Sequence, residues 1–580
     1  MFRIRRTYDI VTPANKEAVI QVQDILRTQF PSLSEKEIAE LPQKLYNPLK
    51  YHFRSILFVA DDEKERVKGF ALLSHAPVLN FCYLDYISTA KKLDGRGIGG
   101  ALYSRVREEA LSLRTIGIFF ECLPDSPKLS INPKIRKQNA SRLHFYERYG
   151  ARPVINTKYE TPLTPMGDNP PYLVYDKLDQ DTELSRDKAR AVVRAILERR
   201  YATVCPPNYI NMVVESFQDD PIQLRLPKYV KDSTFIKVKR TIPVDERIIL
   251  LVNAQHAIHH VQEIGYVEAP VRIDSVLTEI DNSDMFRKIS VNHFGEKQIR
   301  SVHDAQFINY FKRVCANLEP GKSIYPYVFP IRNVTRPPKE LAVRAGYYCI
   351  DTFTPLNYNA YLAAKGAVDC ALTGVKKILE GYHLAYALVR PPGHHAERRS
   401  FGGFCYFNSA AIAAQYLSTY GKVAILDIDY HHGNGQQDIF YKRADVLTVS
   451  IHGHPSFAYP YFSGFKAEKG MGAGEGYNIN FPLPEKLDGE RYRKVLAKAL
   501  KQISRYKPYF LIVALGLDTA EGDPTGSWSL QPNDFEANGK LIGSLRLPTL
   551  VVQEGGYDTR LLGINVQHFF TGLWSGTYLL

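Results

Sequence analysis

Five short apolar runs in the C-terminal half of the chain each lead directly into polar residues. The runs are LAYALV, KVAILDI, VLTVSI, YFLIVAL and TLVVQ, and the residues that follow them read RPPGHHA, DYHHGNG, HGHP, GLDTAEGDP and EGGYD. Helical patterns such as NSAAIAAQYLSTYG and GERYRKVLAKALKQISRY separate several of the runs. Apolar strands that alternate with helices predict a mostly parallel sheet with helices on both faces. Ligands of such sheets bind beyond the carboxyl ends of the strands, so we expect a functional site there.

Three side chains in these clusters have the chemistry of metal ligands. Asp429 and His431 follow the second run, and Asp518 follows the fourth. Two carboxylate oxygens and one imidazole nitrogen, with an open fourth position, describe a catalytic zinc that activates water and polarises a carbonyl. A single histidine at a strand end is more often structural than a ligand, but five polar clusters at five strand ends favour a site.

Other residues in the same clusters suit the chemistry around such a metal. His394 and His395 are adjacent imidazoles that follow a rigid Pro-Pro-Gly turn. Asp427 lies two residues before Asp429, on the same side of an extended strand, and could orient an imidazole. Tyr557 follows two glycines, which would let its hydroxyl come close to a substrate.

Six ordered motifs resemble those of the zinc-dependent histone deacetylase and acetylpolyamine amidohydrolase family. They are RPPGHHA, GGFCYFNSAAIAA, ILDIDYHHGNGQQDIF, VSIHGHP, ALGLDTAEGDPTG and EGGYD, and the resemblance covers about 246–580. It implies the arginase/deacetylase-like α/β fold. AVRAGYYCIDTFTPLN and YPYFSGFKAEKGMGAGEGYNINFPLP are similar to the acetylpolyamine amidohydrolase branch.

The resemblance implies catalytic roles for five residues. His395 would be the general base towards the water and later the acid for the leaving amine. His394, paired with Asp427, would stay charged or act electrostatically. Asn434 would orient His395, where some family members have Asp, and Tyr557 would donate a hydrogen bond to the oxyanion.

The resemblance also implies two ion sites and a substrate tunnel. Zinc would be held by Asp429, His431 and Asp518, and a structural potassium would lie against Asp427, Asp429, His431 and Ser450. The tunnel for the acylated amine would be walled by Gly403, Phe404 and Tyr461. Polyamine deacetylases of the family can carry an acidic gatekeeper after GDP, and here that position is Thr525. An acetylated polyamine and an acetyl-lysine protein therefore both stay open as the substrate.

A glycine motif in the N-terminal half raises a different question. KLDGRGIGGA at 92–101 contains G-x-G-x-x-G, and Glu121 follows about twenty residues later, which is the spacing of a dinucleotide fingerprint. A dinucleotide fold needs the first glycine at the end of a strand, but the strand YLDYIS ends near Ser88 and the polar TAKKLD intervenes. The pattern instead predicts a helix N-terminus whose amides hold a pyrophosphate.

LDYISTAKKLDGRGIGGALYSRV and NASRLHFYERYGARPV resemble the GNAT acyltransferase family, whose cofactor is acetyl-CoA, over about 1–177. By this resemblance the CoA pyrophosphate would be held by the amides of Arg96, Gly97, Ile98, Gly99, Gly100 and Ala101. Asn139 would contact the CoA arm, Tyr146 would protonate the departing thiolate, and Glu121 could act as a base through water. Asp94 departs from the Arg or Gln that is usual in the family, which could weaken CoA binding. The alternatives are a scaffold or substrate-binding module, with Tyr146 as a core aromatic.

The sequence thus predicts a GNAT-like mixed α/β domain at 1–177, a helical extension and linker at 178–245, and a zinc-dependent deacetylase domain at 246–580. Two further hypotheses remain: only the deacetylase is active, or the chain is a non-catalytic chromatin- or partner-binding protein. The net charge of +13 would favour acidic partners such as nucleic acid, but the basic residues are spread along the chain. Scattered cysteines without C-x-x-C, and no apolar run of membrane-spanning length, favour a cytoplasmic protein without a membrane partner. A homodimer is an expectation by analogy with the acetylpolyamine branch.

Overall fold

The fold is described here from a computed structural model of the chain. The structure describes residues 2–47, 51–90, 97–162, 170–201, 204–231, 234–237, 242–261, 266–326 and 337–579. The chain divides into two compact units, Met1–Asp245 and Glu246–Leu580. Arg96, expected to hold a CoA pyrophosphate, and Asp94, the departure from the family pattern, lie outside the described residues.

The described part of the first unit combines seven strands with helices of varied length. Its strands are β1 (Arg3–Thr7), β2 (Arg54–Asp61), β3 (Val67–Ala76), β4 (Phe81–Thr89), β5 (Ile118–Cys122), β6 (Arg152–Pro153) and β7 (Tyr172–Asp176). Its helices are α1 (Pro13–Gln29), α2 (Glu35–Ala39), α3 (Leu41–Tyr46), α4 (Ile98–Ser112), α5 (Pro133–Glu147), α6 (Arg186–Arg200) and α7 (Pro207–Glu215).

The strands of the first unit form one sheet in the order β1-β2-β3-β4-β5-β7-β6. Neighbouring strands are antiparallel except β4 and β5, which are parallel. β4 and β5 pair only at Cys82 with Ile118 and at Tyr83 with Phe119, although both strands continue beyond this point. Their far halves therefore separate, and this opens a gap in the sheet.

Residues 178–245 were expected to be a helical extension and linker, and in the structure two helices of this segment pack into the core of the first unit. α6 and α7 bury Val193, Ile196 and Val213 in the same core cluster as Phe81 and Phe119 of the sheet. Helix α6 owes this to apolar residues at helical spacing along an otherwise basic segment. Helices α6 and α7 of this segment are thus part of the first unit's core.

The described part of the second unit contains ten strands. They are β8 (Ile248–Val252), β9 (Phe286–Lys288), β10 (Ser323–Ile324), β11 (Leu356–Asn357), β12 (Leu384–Leu388), β13 (Val423–Asp427), β14 (Val446–Gly453), β15 (Asn478–Leu483), β16 (Phe510–Leu515) and β17 (Thr549–Gln553). Its helices are α8 (Val271–Ile280), α9 (Lys297–Arg300), α10 (Ala305–Ala316), α11 (Leu341–Tyr348), α12 (Ala360–Leu379), α13 (Ser409–Leu417), α14 (Asn434–Phe440), α15 (Gly489–Tyr506), α16 (Pro532–Gly543) and α17 (Leu562–Tyr578).

Eight of these strands form one sheet in the order β15-β14-β13-β16-β17-β12-β8-β9, and every pair is parallel. The five apolar runs of the sequence are β12, β13, β14, β16 and β17. These five strands are buried along their whole length, because helices cover both faces of a parallel sheet. The predicted α/β fold with a parallel sheet is confirmed, and β8, β9 and β15 extend it at its edges.

All seven cysteines lie in described segments, and each is buried and unpaired. Among the helices that the structure describes, none combines the length and the apolar character needed to span a membrane.

Candidate metal centre and active site

The sheet of the second unit brings the three predicted metal ligands together. Asp429 and His431 follow β13, and Asp518 follows the neighbouring β16. One ligand atom from each of the three residues lies within 4.8 Å of the other two. The Nδ1 atom of His431 is 3.2 Å from Asp429 Oδ1 and 2.9 Å from Asp518 Oδ2. Because β13 and β16 are parallel neighbours, their carboxyl ends open on the same edge of the sheet, and the ligands meet there.

Two glycines allow the backbone to come close to the Asp429 carboxylate. A Cβ atom added at Gly516 would lie 2.1 Å from Asp429 Oδ2, and one added at Gly555 would lie 2.6 Å from the same atom. The backbone N–H of Gly555 donates to this oxygen at 2.8 Å. The backbone N–H of Tyr430 likewise donates to Asp518 Oδ1 at 2.9 Å. Each carboxylate thus has one oxygen fixed by a backbone amide and the other close to His431.

The electrostatics of this cluster favour a cation. Burial and the neighbouring Asp429 carboxylate raise the pKa of Asp518 to about 7. Burial alone would lower the pKa of His431, but its hydrogen bonds to Asp429 and Asp518 raise it to about 9. The cluster therefore stabilises positive charge where its three ligand atoms converge. Two buried carboxylates and one imidazole also match the donor set of a divalent zinc ion, so the residues fit this metal.

The two adjacent histidines beside the cluster have opposite protonation behaviour. His394 Nδ1 lies 3.0 Å from Asp427 Oδ2. Against the effect of burial, Asp429 and Asp427 raise the pKa of His394 to about 10, so this imidazole is charged at neutral pH. His395 Nδ1 lies 2.7 Å from the side-chain oxygen of Asn434. Burial and the positive charges of His394 and His431 hold the pKa of His395 well below its usual range, so this imidazole is neutral.

Tyr557 is held at the site by contacts that the sequence did not reveal. The Asp523 carboxylate accepts hydrogen bonds from the backbone N–H groups of Tyr557, at 2.6 Å, and Asp558, at 3.1 Å. The guanidinium of Arg272 lies 4.6 Å from the centre of the tyrosine ring. Burial raises the pKa of Tyr557 well above its ordinary value, so its hydroxyl keeps its proton as a donor. Asp523 lies in the motif ALGLDTAEGDPTG, but the sequence did not assign it a role, and Arg272 lies outside the six motifs, 285 residues from Tyr557.

The predicted tunnel walls lie beside His395, with one difference. A Cβ atom at Gly403 would lie 2.2 Å from His395 Cδ2, and the Phe404 ring centre is 5.8 Å from that of Tyr557. The aromatic ring against His395 is Tyr459, at 4.8 Å between ring centres. Tyr461, which the sequence analysis selected, is 59% exposed and stands 6.1 Å from Tyr459. The sequence held both tyrosines in one YPYF motif and offered no means of choosing between them.

Asp351 supports this wall. Its Oδ2 atom accepts hydrogen bonds from the hydroxyl of Tyr459 at 3.0 Å and from the backbone N–H of Gly403 at 2.6 Å.

Ser450, expected beside a potassium ion, lies opposite Asp427 in the pairing of β13 and β14. Its hydroxyl lies 2.8 Å from His452 Nδ1, so the side chain already has a partner.

In the first unit, helix α4 begins at the predicted glycine turn. Gly97 caps the helix with φ +78, a left-handed conformation that favours glycine. The amides of Gly97, Ile98, Gly99 and Gly100 precede the first hydrogen bond of this helix and are free of its carbonyls. The amide of Ala101 is not, because it donates to the Gly97 carbonyl at 3.0 Å. Ala101 was therefore wrongly included among the pyrophosphate-binding amides.

The gap between β4 and β5 contains a cavity of about 200 Å³ that Glu121 and Tyr146 both line. The Tyr146 ring packs 4.4 Å from the Phe120 ring, and burial raises the pKa of Tyr146 above its ordinary value. Tyr146 is thus both a core aromatic and a cavity residue. Asn139 differs from expectation: it is 2% exposed, and its side-chain amide donates to the Pro124 carbonyl at 2.9 Å, which fixes the loop after β5.

Glu121 is held by two tyrosines that the sequence analysis did not single out. The hydroxyls of Tyr159 and Tyr201 donate to its two carboxylate oxygens at 2.6 and 2.7 Å. Burial raises the pKa of Glu121. Tyr201 directly follows α6, so the segment expected to be an extension supplies a partner to this carboxylate.

Comparison with known proteins agrees with both halves of this description. The sequence model of the histone deacetylase domain matches residues 266–573, and that of the acetyltransferase (GNAT) family matches residues 19–151. The chain belongs to the histone deacetylase family and carries a GNAT-family domain before the deacetylase domain. Both resemblances drawn from the motifs are confirmed.

Particular relatives are acetylpolyamine amidohydrolases. The chain is 39% identical over 338 residues to acetylpolyamine amidohydrolase 2 of Pseudomonas aeruginosa. The match covers 56% of this chain and 98% of the relative. It is 36% identical over 330 residues to the acetylpolyamine amidohydrolase of Mycoplana ramosa, with 56% and 96% covered. A crystal structure of the acetylpolyamine aminohydrolase from Burkholderia pseudomallei superimposes with a TM-score of 0.54 at 34% identity, covering 57% of this chain and 99% of that one.

Proposed function

We propose that the second unit is a zinc-dependent amidohydrolase that releases acetate from an acetylated amine. The observation that carries this proposal is the His395 imidazole, with its ring centre 6.0 Å from that of His431, beside a buried cluster of two carboxylates and one imidazole. Asp429, His431 and Asp518 would hold the zinc ion. When bound, zinc lowers the pKa of a water molecule and polarises the amide carbonyl.

Three residues of the chain transfer protons or stabilise charge during the reaction. His395 takes the proton of the attacking water at Nε2, because its Nδ1 already faces Asn434, and later returns this proton to the nitrogen of the leaving amine. His394 stays protonated against Asp427 and adds positive charge beside the reaction. Tyr557 donates its hydroxyl hydrogen to the carbonyl oxygen as that oxygen becomes negative. The products are acetate and the free amine.

The substrate is an acetylated polyamine or acetyl-lysine. The names of the relatives favour the polyamine, since those proteins are acetylpolyamine amidohydrolases. Thr525 follows Gly-Asp-Pro where an acidic gatekeeper would stand, which removes one specific reason for a polyamine. A panel of acetylated polyamines and acetyl-lysine peptides, each assayed for acetate release with and without a chelator, decides between them.

His395→Ala tests the mechanism against a non-catalytic partner-binding protein. The variant should lose nearly all acetate release while it retains its metal, because the metal ligands are untouched. Unchanged turnover by this variant would refute the assigned mechanism. Potassium beside Asp427 and Ser450 and a homodimer belong to the same proposal and follow from the family resemblance. The cytoplasmic location is proposed from the scattered cysteines and the lack of a membrane-spanning apolar run.

For the first unit we propose an acetyl-CoA-dependent N-acyltransferase. The four amides at Gly97–Gly100 and the cavity between β4 and β5 support it. Glu121 would accept the proton of the acceptor amine, and Tyr146 would give one to the departing thiolate. The alternative is a substrate-binding or regulatory module, and titration calorimetry with acetyl-CoA separates the two: absence of heat would favour the module.

A further inference from the structure

We propose that Glu397 is a positioning residue for His395, acting through Asn434. Its carboxylate fixes the orientation of the Asn434 amide, and the amide in turn fixes which nitrogen of His395 carries the hydrogen. This inference rests on the proposed role of His395 as the proton acceptor.

The Asn434 side chain is 2% exposed and uses both ends of its amide. Its oxygen lies 2.7 Å from His395 Nδ1. Its nitrogen donates to Glu397 Oε1 at 2.9 Å and to the backbone carbonyl of His395 at 3.2 Å. The backbone carbonyl can only accept hydrogen bonds, and so can the Glu397 carboxylate when it is ionised. A reversed amide would place its oxygen against both acceptors, so the observed orientation is strongly preferred.

This orientation determines the state of the imidazole. The Asn434 oxygen has lone pairs only, so the hydrogen of the neutral imidazole must be on Nδ1 and the lone pair on Nε2. An amide does not impose this by itself, because rotation by 180° would present its NH₂ group to Nδ1 and stabilise the opposite tautomer. An aspartate at this position would need no third group, since both of its oxygens accept. The asparagine needs acceptors for its NH₂ group, and Glu397 supplies one of them beside the His395 carbonyl.

Glu397 is itself held in place. Its Oε2 atom accepts a hydrogen bond from the Ser400 hydroxyl at 2.7 Å, and its backbone N–H donates to the Ser400 carbonyl at 2.9 Å. The side chain also lines a cavity of about 550 Å³ that Arg398 and Asn434 share. Burial raises the pKa of Glu397. The carboxylate thus has one oxygen committed to the loop and the other to Asn434.

Three variants of the full chain test the proposal, each assayed with the panel substrate that the wild type hydrolyses fastest. Glu397→Ala removes the acceptor, and we expect kcat to fall about 10- to 100-fold with KM little changed, as is usual when an outer partner of a catalytic site is lost. Glu397→Gln keeps an acceptor oxygen for the Asn434 amide and is the matched control, expected within about 3-fold of wild type. The double variant Asn434→Asp with Glu397→Ala should recover most of the lost kcat, because a carboxylate at 434 accepts from Nδ1 in either orientation.

If Glu397 had only a structural role, a substitution at residue 434 would not restore the kcat that Glu397→Ala loses. Wild-type kcat in Glu397→Ala, or a loss that the double variant fails to recover, would overturn the proposal. His395→Ala and the zinc content of every variant are measured in parallel. Wild-type turnover by His395→Ala would refute the proposed function itself. A failed rescue by the double variant would refute only the role of Glu397.

Discussion

At the scale of single residues, the metal cluster depends on positions without a side chain as much as on its ligands. Gly516 and Gly555 let two loops lie against the Asp429 carboxylate, and a Cβ at Gly516 would fall 2.1 Å from one of its oxygens. Either the carboxylate or the loop would have to move if that Cβ were present. The position of the Asp429 carboxylate is therefore fixed partly by the close contact of the backbone at Gly516 and Gly555.

Gly516→Ala should weaken zinc binding about 10- to 100-fold, because displacement of the Asp429 oxygen spoils the ligand geometry. Competition with a chelating dye measures the affinity directly. Gly295→Ala is the control, since a Cβ there meets no atom within 4 Å, and its zinc affinity should equal that of the wild type. Equal affinities of the two variants would show that the close approach at Gly516 does not matter.

Tyr557→Phe removes only the hydroxyl that we propose to donate a hydrogen bond to the developing oxyanion. The rate kcat should fall about 100- to 1,000-fold, the usual cost of one lost oxyanion donor. Zinc content should stay at the wild-type level, because the ring keeps its contact with Arg272. Steady-state kinetics together with metal analysis check both statements, and a large loss of zinc would contradict the assigned role.

The sequence was most informative about residues that directly follow a buried strand. Asp429, His431 and Asp518 could be predicted because an apolar run fixes where a strand ends, and parallel strands end at one edge. Arg272, Asp523 and Tyr459 could not be found in this way. Their roles depend on contacts between segments far apart in the chain, which no local pattern specifies.

At the scale of elements, the Glu147 carboxylate is a main attachment of the segment after α7 to the first unit. Glu147 Oε1, at the end of α5, accepts hydrogen bonds from three successive backbone amides, those of Lys228, Tyr229 and Val230, at 2.7, 2.5 and 3.0 Å. Asp125 adds contacts to the side chains of Lys228 and Tyr229. This explains why residues without regular structure form part of a compact unit.

Glu147→Ala should speed hydrogen exchange at the amides of residues 228–230 about 10- to 100-fold, as expected for a loss of roughly 1–3 kcal/mol when a charged acceptor disappears. Exchange followed by mass spectrometry of the peptide over 224–231 measures it. Glu183→Ala changes an exposed carboxylate of the same unit and should leave that peptide unaffected. Unchanged exchange in Glu147→Ala would mean that other contacts hold the segment.

Three strands of the larger sheet were not predicted: β8, which reads IILLV and has a strong apolar pattern, and β9 and β15, which have weak ones. β9 has only three residues, and β15 reads NINFPL, with two polar residues among its apolar ones. The helical pattern of α6 was recognised, but its basic surface suggested a solvated extension. Its apolar face could be assigned to a core only after the sheet that it covers was known.

At the scale of the whole molecule, the chain divides between Asp245 and Glu246, where the sequence pattern also changes. Each unit has its own sheet, and each candidate site lies within one unit. A chelator such as dipicolinate should therefore abolish acetate release and leave the affinity for acetyl-CoA unchanged, because the proposed zinc ligands all lie in the second unit. Added zinc should restore the hydrolysis. Loss of acetyl-CoA binding on metal removal would contradict two independent sites.

The all-parallel order of the larger sheet has a consequence for how the chain is made. β17, at 549–553, lies between β16 and β12, and it is the last strand of the sheet to leave the ribosome. Until then, both of its neighbours keep an unpaired edge, and the loop that carries Tyr557 does not exist. A nascent chain stalled before residue 549 would expose two unpaired strand edges to other chains, so chaperone capture should be strongest on chains that end before β17.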